Sequence, residues 1–372
     1  MATNFSKLDF SFIRQAFALA YKVQGKTLPN PAVGAVLVKN GKVIGKGATQ
    51  PAGQSHAEVV AIQKVNQKVI QKANPKSQLK GSTLYVTLEP CCHYGRTPPC
   101  TDAIIAAGIK EVVIAIQDPN PKVGGKGIAA LRKAGIKVRL GIESEIAEEF
   151  YRGFFFYIQY GRPLIILKIA QSIDGKINGG RGNKTEITGK EFQTWTHHLR
   201  TQVDAIVISG QTLRIDNPDL TPRLVKGHAP EVLVLSRKGP LSSKSQVFSE
   251  ERKSATVVLS EKPMPLPRWV EQNHFEKAGS NEKQTVETML QVFKTRGYHS
   301  VLIEGGPALW ALFLNSGIWD SLLIATAPVV LLKGESWDRP LSRDWGKSLK
   351  FRNFATFGKD FLAEFGNSEF RG

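Results

Sequence analysis

The sequence predicts an α/β protein of two domains, and three observations carry that prediction. The chain has 372 residues, more than one core usually holds, since domains run to roughly 100–200 residues. Apolar runs of strand length alternate with helical periodicity through both halves. A Gly161-Arg162-Pro163 break follows a strongly aromatic stretch near the middle. On this reading a first domain spans residues 1–148 and a second spans 149–372.

The first helix is expected at 9–23, with Asp9 as N-cap and Phe10, Ile13, Phe17, Ala20 and Tyr21 at helical spacing. Strands at 32–38 and 42–48 flank Asn40-Gly41, a pair that favours the positive backbone angles of a tight hairpin. A helix from His56, a strand at 83–88, a helix from about Thr101 to Gly108 and a strand at 111–117 come next. Asp118-Pro119-Asn120-Pro121 is a turn, 128–134 a helix closed by Gly135, and 136–140 the fifth strand of a layered domain. Residues 143–161 read as a connecting helix with an aromatic end.

In the second half, strands are expected at 164–170, 205–209, 231–235, 255–259, 300–304 and 321–332, and helices at 189–202, 282–295 and 308–315. Alternation of this kind implies a largely parallel sheet covered on both faces. No internal repeat is present.

Composition narrows the class. With 41% hydrophobic and 22% charged residues, the chain is ordinary globular protein and not a disordered one. Its opening segment mixes charges with apolar residues, so it fits neither a secretory signal nor a membrane span, and a cytoplasmic location is expected. The net charge of +18 would attract any anion, but the basic residues are spread without a long run, as on a solvated surface. Neither nucleic acid nor membrane is therefore an expected partner; homo-oligomerisation stays open. Cys91, Cys92 and Cys100, the three cysteines, crowd into ten residues, which argues for metal binding over a disulfide framework.

His56, Cys91 and Cys100 are the expected ligands. One imidazole and two thiolates leave a fourth tetrahedral position for water, the catalytic pattern for Zn2+. Glu58, two residues after His56, is placed to move protons at that water. Ser55-His56-Ala57-Glu58 also fits a capping box, in which Glu58 would only return to the Ser55 amide. His-x-Glu followed by Pro-Cys and a second Cys is the zinc-deaminase signature, in which the glutamate is acid and base but not ligand. That signature usually sets its cysteines two residues apart, whereas eight residues, 92–99, intervene here.

The stretch Thr87-Leu88-Glu89-Pro90-Cys91-Cys92-His93-Tyr94-Gly95-Arg96-Thr97-Pro98-Pro99-Cys100, together with Asn30-Pro31-Ala32-Val33-Gly34-Ala35 and Gln117-Asp118-Pro119-Asn120-Pro121, resembles the bifunctional riboflavin-biosynthesis deaminase/reductase family, RibD. The resemblance implies a cytidine-deaminase-like three-layer domain followed by a dihydrofolate-reductase-like α/β domain. It implies removal of an amino group from a diamino-ribosylamino-pyrimidinone 5′-phosphate, then NADPH-dependent reduction of the ribosyl group to a ribityl chain. Asn30, His93 and Arg96 become candidates for holding that small-molecule substrate, and Cys92 stands where the family usually has serine.

In the second half, Leu167-Lys168-Ile169-Ala170-Gln171-Ser172-Ile173-Asp174-Gly175, residues 212–223 and Glu304-Gly305-Gly306-Pro307 are similar to the family's reductase. The resemblance assigns Ala170, Glu186, Thr212, Asp216, Ser236, Gly306, Pro307, Ala308, Leu309, Trp310, Ala311 and Leu312 to the cofactor. It assigns Lys184, Arg200, Leu220, Arg223 and Glu304 to the substrate, with Lys168 and Asp174 as candidate catalytic or orienting groups. Lys184 and Glu186 replace a serine and a tryptophan of the family pattern, and Asn217 stands where aspartate is common. A deaminase with a weakened reductase is thus one alternative. A nucleic-acid-editing deaminase and a zinc scaffold closed by Cys92 or His93 are others.

Overall fold

A computed structural model of the chain describes residues 4–69, 78–180, 185–237, 239–252, 256–274, 282–337, 341, 346 and 349–367. Helix α1 (Lys7–Val23) opens the first unit, and its cap is Ser6. The Ser6 hydroxyl accepts from the Asp9 amide while the Asp9 carboxylate takes the Ser6 amide in return. Asp9 is therefore the third helical residue of a capping box and not the cap itself, because serine reaches the free amides one turn earlier.

Five strands follow: β1 (Gly34–Lys39), β2 (Lys42–Ala48), β3 (Thr83–Val86), β4 (Glu111–Ile114) and β5 (Lys137–Leu140). Their order is β2-β1-β3-β4-β5, with β1 antiparallel to both neighbours and the rest parallel. Asn40 and Gly41 both take positive φ in the β1–β2 turn, as their types require. Helix α2 (Ala57–Val69), α3 (Cys100–Ala106), α4 (Lys126–Lys133) and α5 (Ser144–Tyr160) complete the unit.

Two glycines set the layer spacing. A Cβ on Gly34 would stand 1.8 Å from the Ala16 carbonyl of α1, and one on Gly47 would stand 2.0 Å from the Ala57 carbonyl of α2. Gly47 pairs with Ala35 across β1–β2, and side chains alternate faces along a strand. Gly34 and Gly47 thus admit α1 and α2 on opposite faces, giving three layers.

Contacts divide the chain into Met1–Gly161 and Arg162–Gly372. The expected cut after residue 148 falls inside α5. That helix is no linker: its Ala147, Tyr151 and Phe154 are buried, and the Tyr151 hydroxyl donates to the Ala32 carbonyl (3.0 Å) and lies 2.6 Å from the Thr87 hydroxyl. Its aromatic end is core of the first unit, and Gly161 ends it in left-handed backbone.

In the second unit the strands are β6 (Leu164–Ser172), β7 (Ala205–Ser209), β8 (Glu231–Ser236), β9 (Thr256–Ser260), β10 (Glu271–His274), β11 (Ser300–Ile303), β12 (Ser321–Ala327), β13 (Leu349–Phe357) and β14 (Asp360–Asn367). Among the described residues they form one sheet, β10-β9-β8-β7-β11-β6-β12-β14-β13, parallel from β10 to β12 and closed by an antiparallel hairpin. Helices α6 (Lys190–Thr201), α7 (Gly210–Asp216), α8 (Glu282–Arg296) and α9 (Pro307–Ser316) connect them.

The fully buried runs Ala205–Ile208, Val232–Leu235 and Val301–Ile303 explain why the parallel centre was readable. Both edges escaped. Strand β10 is Glu-Gln-Asn-His and β13 is mostly exposed, with Lys, Arg, Asn and Thr among its phenylalanines, so neither carries an apolar run; a polar edge such as β10 also deters pairing with another chain. The last parallel strand ends at Ala327 and not at 332, because Pro328 has no amide to offer the ladder. The expected start of β9 at residue 255 lies outside the described residues.

Candidate active sites

Three chain segments bring the expected metal ligands together. His56 immediately precedes α2, and its carbonyl accepts from the Val60 amide. Cys91 follows β3 by way of Leu88, Glu89 and Pro90, and Cys100 opens α3. The His56 Nδ1 lies 3.5 Å from Cys91 Sγ and 3.3 Å from Cys100 Sγ, and all three ligand atoms fall within 4.8 Å of one another.

Neither Cys92 nor His93 joins that group among the described residues. The Cys92 thiol points toward the Lys122 carbonyl at 4.0 Å, and His93 is exposed. Three protein donors of this softness and spacing fit Zn2+ and leave one position open.

Hydrogen bonds prepare the sulfurs. The Cys100 thiol, and after it His56, holds the Cys91 thiol down to about 4 against the opposing effect of burial. The Cys100 amide, at the start of α3, also donates to Cys91 Sγ at 3.4 Å. The hydrogen bond to Cys91 and burial push the Cys100 thiol up, so without a cation the pair keeps one proton.

Glu58 is 3% exposed, and burial, followed by the Cys91 charge, pushes its carboxyl up to about 7. The Cys100 thiol lies in its electrostatic surroundings and opposes that rise. No hydrogen bond joins Glu58 to the Ser55 amide among the described residues, so the capping-box alternative does not form.

A cavity of about 390 Å³ opens on this group, and Asn30, His93 and Arg96 all line it. Phe154 and Ile158 of α5 supply an apolar wall. Two further carboxylates went unassigned in the sequence. Glu89 is buried and accepts from the amides of Gly125 (2.9 Å), Ile128 (3.0 Å) and Asp118 (3.3 Å), tying the approach to α4 to the segment that carries Cys91. Asp118 lines the cavity, and burial pushes its carboxyl up to about 6. Their presence in the Thr87–Cys100 and Gln117–Pro121 motifs was the only available signal.

In the second unit the carboxyl ends of the parallel strands gather the other assigned residues, where open α/β sheets bind ligands. Lys168 on β6 lies 3.8 Å from Glu304, which follows β11. Arg200 on α6 meets the same carboxylate at 2.7 Å. Burial alone would raise the Glu304 carboxyl, but Arg200 and Lys168 outweigh it and hold it low. Burial likewise pulls the Lys168 ammonium down. His197, unassigned in the sequence, sits in the same electrostatic neighbourhood and is held down to about 4 by burial and then by the Arg200 charge. It is neutral at pH 7.

Ser236, at the end of β8, is 2% exposed and its hydroxyl has no hydrogen-bond partner among the described residues. Gly306 caps α9, and a Cβ added to it would stand 3.8 Å from the Thr212 hydroxyl, so these two assigned positions face each other. Backbone amides at the opening of α9 suit a phosphate. An orphan hydroxyl, a bare glycine approach and a helix start fit a dinucleotide phosphate chain. Ala170 on β6 and Asp216 at the end of α7 are half-buried.

Other positions contribute differently. Leu309, Trp310, Ala311 and Leu312 are buried in the core, so any contact from them runs through backbone, while Pro307 is half-buried and Ala308 exposed. Asp174 spends both carboxylate oxygens on structure: it accepts from the Ser172 hydroxyl (2.6 Å) and from the Leu331 (3.1 Å) and Leu332 (2.9 Å) amides. Glu186 is exposed, and Lys184 lies outside the described residues. Asn217 takes positive φ at the end of α7 and accepts from the Gln246 amide, a backbone angle that asparagine tolerates as well as aspartate does.

Comparison with known proteins agrees with both halves. The profile described as "Cytidine and deoxycytidylate deaminase zinc-binding region" matches residues 6–116, and "RibD C-terminal domain" matches 163–363. "Riboflavin biosynthesis protein RibD" of Aquifex aeolicus is 38% identical over 371 residues, covering 96% of this chain and 98% of that one. The protein of the same name from Escherichia coli is 34% identical, covering 87% and 88%.

Among solved structures, the Thermotoga maritima diaminohydroxyphosphoribosylaminopyrimidine deaminase/5-amino-6-(5-phosphoribosylamino)uracil reductase superposes with a TM-score of 0.77 at 35% identity, covering 97% of this chain and 99% of that one. Acinetobacter baumannii RibD gives 0.75 at 31%, with the same coverage. Matched in both halves, in order and over nearly its whole length, the chain belongs to the RibD family of riboflavin biosynthesis, a zinc-dependent deaminase joined to an NADPH-using, dihydrofolate-reductase-like reductase.

Proposed function

We propose that the first unit deaminates 2,5-diamino-6-ribosylamino-4(3H)-pyrimidinone 5′-phosphate at the His56–Cys91–Cys100 centre, and that the second reduces the ribosyl group of the product. The observation that carries the first half is the buried Glu58 carboxyl, which lines one cavity with His56 and Cys91, beside three converging ligand atoms. His56, Cys91 and Cys100 would hold zinc, which would supply acidified water at neutral pH.

With zinc bound there, Glu58 would be the group that moves protons at the reacting centre, one to the ring nitrogen and a second to the departing amine as water is taken up and ammonia released. Glu58 is buried beside the ligand group, within reach of the place where protons must move. Asn30 and His93 hold the pyrimidine, and Arg96 offers a planar fork to the phosphate.

In the second unit Arg200, Leu220, Arg223 and Glu304 bind the substrate, with Lys184 as a further candidate. Ala170, Thr212, Asp216, Ser236 and the 306–312 segment hold NADPH, which supplies the hydride. Lys168, buried beside Glu304, orients the open-chain sugar and holds a proton for it. The structural bonds of Asp174 favour a loop-holding role over a catalytic one. Glu186, exposed where the family places an aromatic, leaves cofactor stacking to other groups.

No helix among the described residues is long and apolar enough to cross a membrane. Zinc-loaded protein given the diamino substrate is expected to release ammonia without NADPH, and to consume NADPH only afterwards. Ammonia without NADPH consumption would leave the deaminase alone standing. Salt-sensitive retention of RNA in a shift assay would favour a nucleic-acid substrate instead.

A further inference from the structure

Arg252 carries a charge that the fold does not need for stability. It ends a short turn, Glu250–Arg252, shortly before β9; it is 6% exposed, and its Nε, Nη1 and Nη2 are buried without a hydrogen-bond partner among the described residues. An acid near it is Asp219, with Nε 4.0 Å from Oδ1, beyond hydrogen-bond reach. A buried cation so poorly paired is a weak source of stability, and an apolar side chain of similar volume does as well or better.

Asp219 is where that charge is felt. Its other oxygen accepts a hydrogen bond from the Thr221 hydroxyl and lies 3.8 Å from Arg223 Nη1. Next to it, Leu220 is buried with φ of 60°, a left-handed backbone that leucine does not hold unaided. Leu220 and Arg223 are the residues of this segment assigned above to the substrate.

We infer that Arg252 is a positioning residue for the reductase substrate: through Asp219 it holds the 219–223 segment in the shape that presents Leu220 and Arg223 to the pyrimidine ribose-phosphate. This rests on the reading of the second unit as the reductase site. Because the three guanidinium nitrogens are shut away from solvent, Arg252 acts through Asp219 and does not touch the substrate.

The test uses the full chain as wild type, Arg252→Met, Arg252→Lys, Asp219→Asn and the Arg252→Met/Asp219→Asn double variant. Deaminated substrate is made beforehand with wild-type enzyme and no NADPH, and NADPH absorbance is then followed against that substrate. Arg252→Met is expected to raise KM for the pyrimidine about tenfold with kcat within about threefold, leaving KM for NADPH and the ammonia-releasing step unchanged. Its thermal midpoint should equal or exceed the wild-type value, and Arg252→Lys should recover part of the lost KM.

Since both substitutions cut one link, the double variant should be no worse than Arg252→Met alone. Wild-type KM in Arg252→Met overturns the inference, as does a fall in kcat that accompanies a lowered midpoint. Should Arg252→Met not fold, Asp219→Asn carries the same expectation, and wild-type KM there overturns it. A wild-type chain that consumes no NADPH would instead overturn the reductase reading itself.

Discussion

Gly47 on β2 lets the strand approach the first turn of α2 so closely that a methyl group there would stand 2.0 Å from the Ala57 carbonyl oxygen and 2.6 Å from the Ala61 amide nitrogen. These are backbone atoms and cannot swing aside. Gly47→Ala should therefore push α2 off the sheet and destabilise the unit, at the upper end of about 1–3 kcal/mol for overpacking. The same turn carries His56 and Glu58, so zinc content per chain should fall with the midpoint of urea unfolding. Full zinc at wild-type stability would contradict the close packing.

Cys92 and Cys91 are neighbours with different fates. Cys91 and Cys100 converge on His56, whereas Cys92 faces the Lys122 carbonyl. Cys92→Ser is expected to keep one zinc per chain and near-normal ammonia release. Cys91→Ser and Cys100→Ser should lose the metal on dialysis, read by elemental analysis. Zinc loss from Cys92→Ser would place that sulfur on the ion and close the site.

Glu58→Gln keeps the size and burial of the side chain but removes the proton carrier. Metal content should be unchanged while ammonia release falls by about 10²–10⁴, the range general acid–base catalysis contributes. NADPH consumption on pre-deaminated substrate should continue. Near-normal ammonia release would reduce Glu58 to a structural residue.

Asp9 is held by Arg139, whose Nη1 and Nη2 donate to its two oxygens at 3.0 and 2.9 Å, and by the Tyr85 hydroxyl at 2.7 Å. The Arg139 hydrogen bonds, working against burial, keep its carboxyl well below the usual carboxylate range. A carboxyl lowered in the folded state adds stability that is present above its unfolded value, about 4, and is lost as pH falls through the folded value.

Allowing for solvent screening, that contribution is on the order of 1–2 kcal/mol. Asp9→Asn should thus be less stable than wild type at pH 7, with the gap narrowing as the pH falls below about 4. A gap that stays constant in acid urea titrations would show that Asp9 acts through packing alone.

How much of this was legible beforehand can be judged residue by residue. The convergence of His56, Cys91 and Cys100 was readable because metal ligation demands particular atoms at particular spacings, and the His-x-Glu and 87–100 stretches met that demand. The buried runs of β7, β8 and β11 were readable because a strand covered on both faces must be apolar throughout. The polar β10 strand, the exposed β13 strand and the seven-residue α7 gave no such pattern.

The sequence by itself determined the family and the α/β class, and it picked out the three residues whose ligand atoms converge, since each depends on residue type and local order. Tertiary structure decided that α5 is core of the first unit and that Glu58 lines the cavity beside His56 and Cys91 and makes no bond to the Ser55 amide among the described residues. It also decided that Asp174 holds a loop, that Cys92 turns away from the metal group, and that Arg252 lies buried near Asp219. Those outcomes turn on burial and on distances between residues far apart in the chain. Periodicity does not encode such distances, because they exist only once the layers have packed.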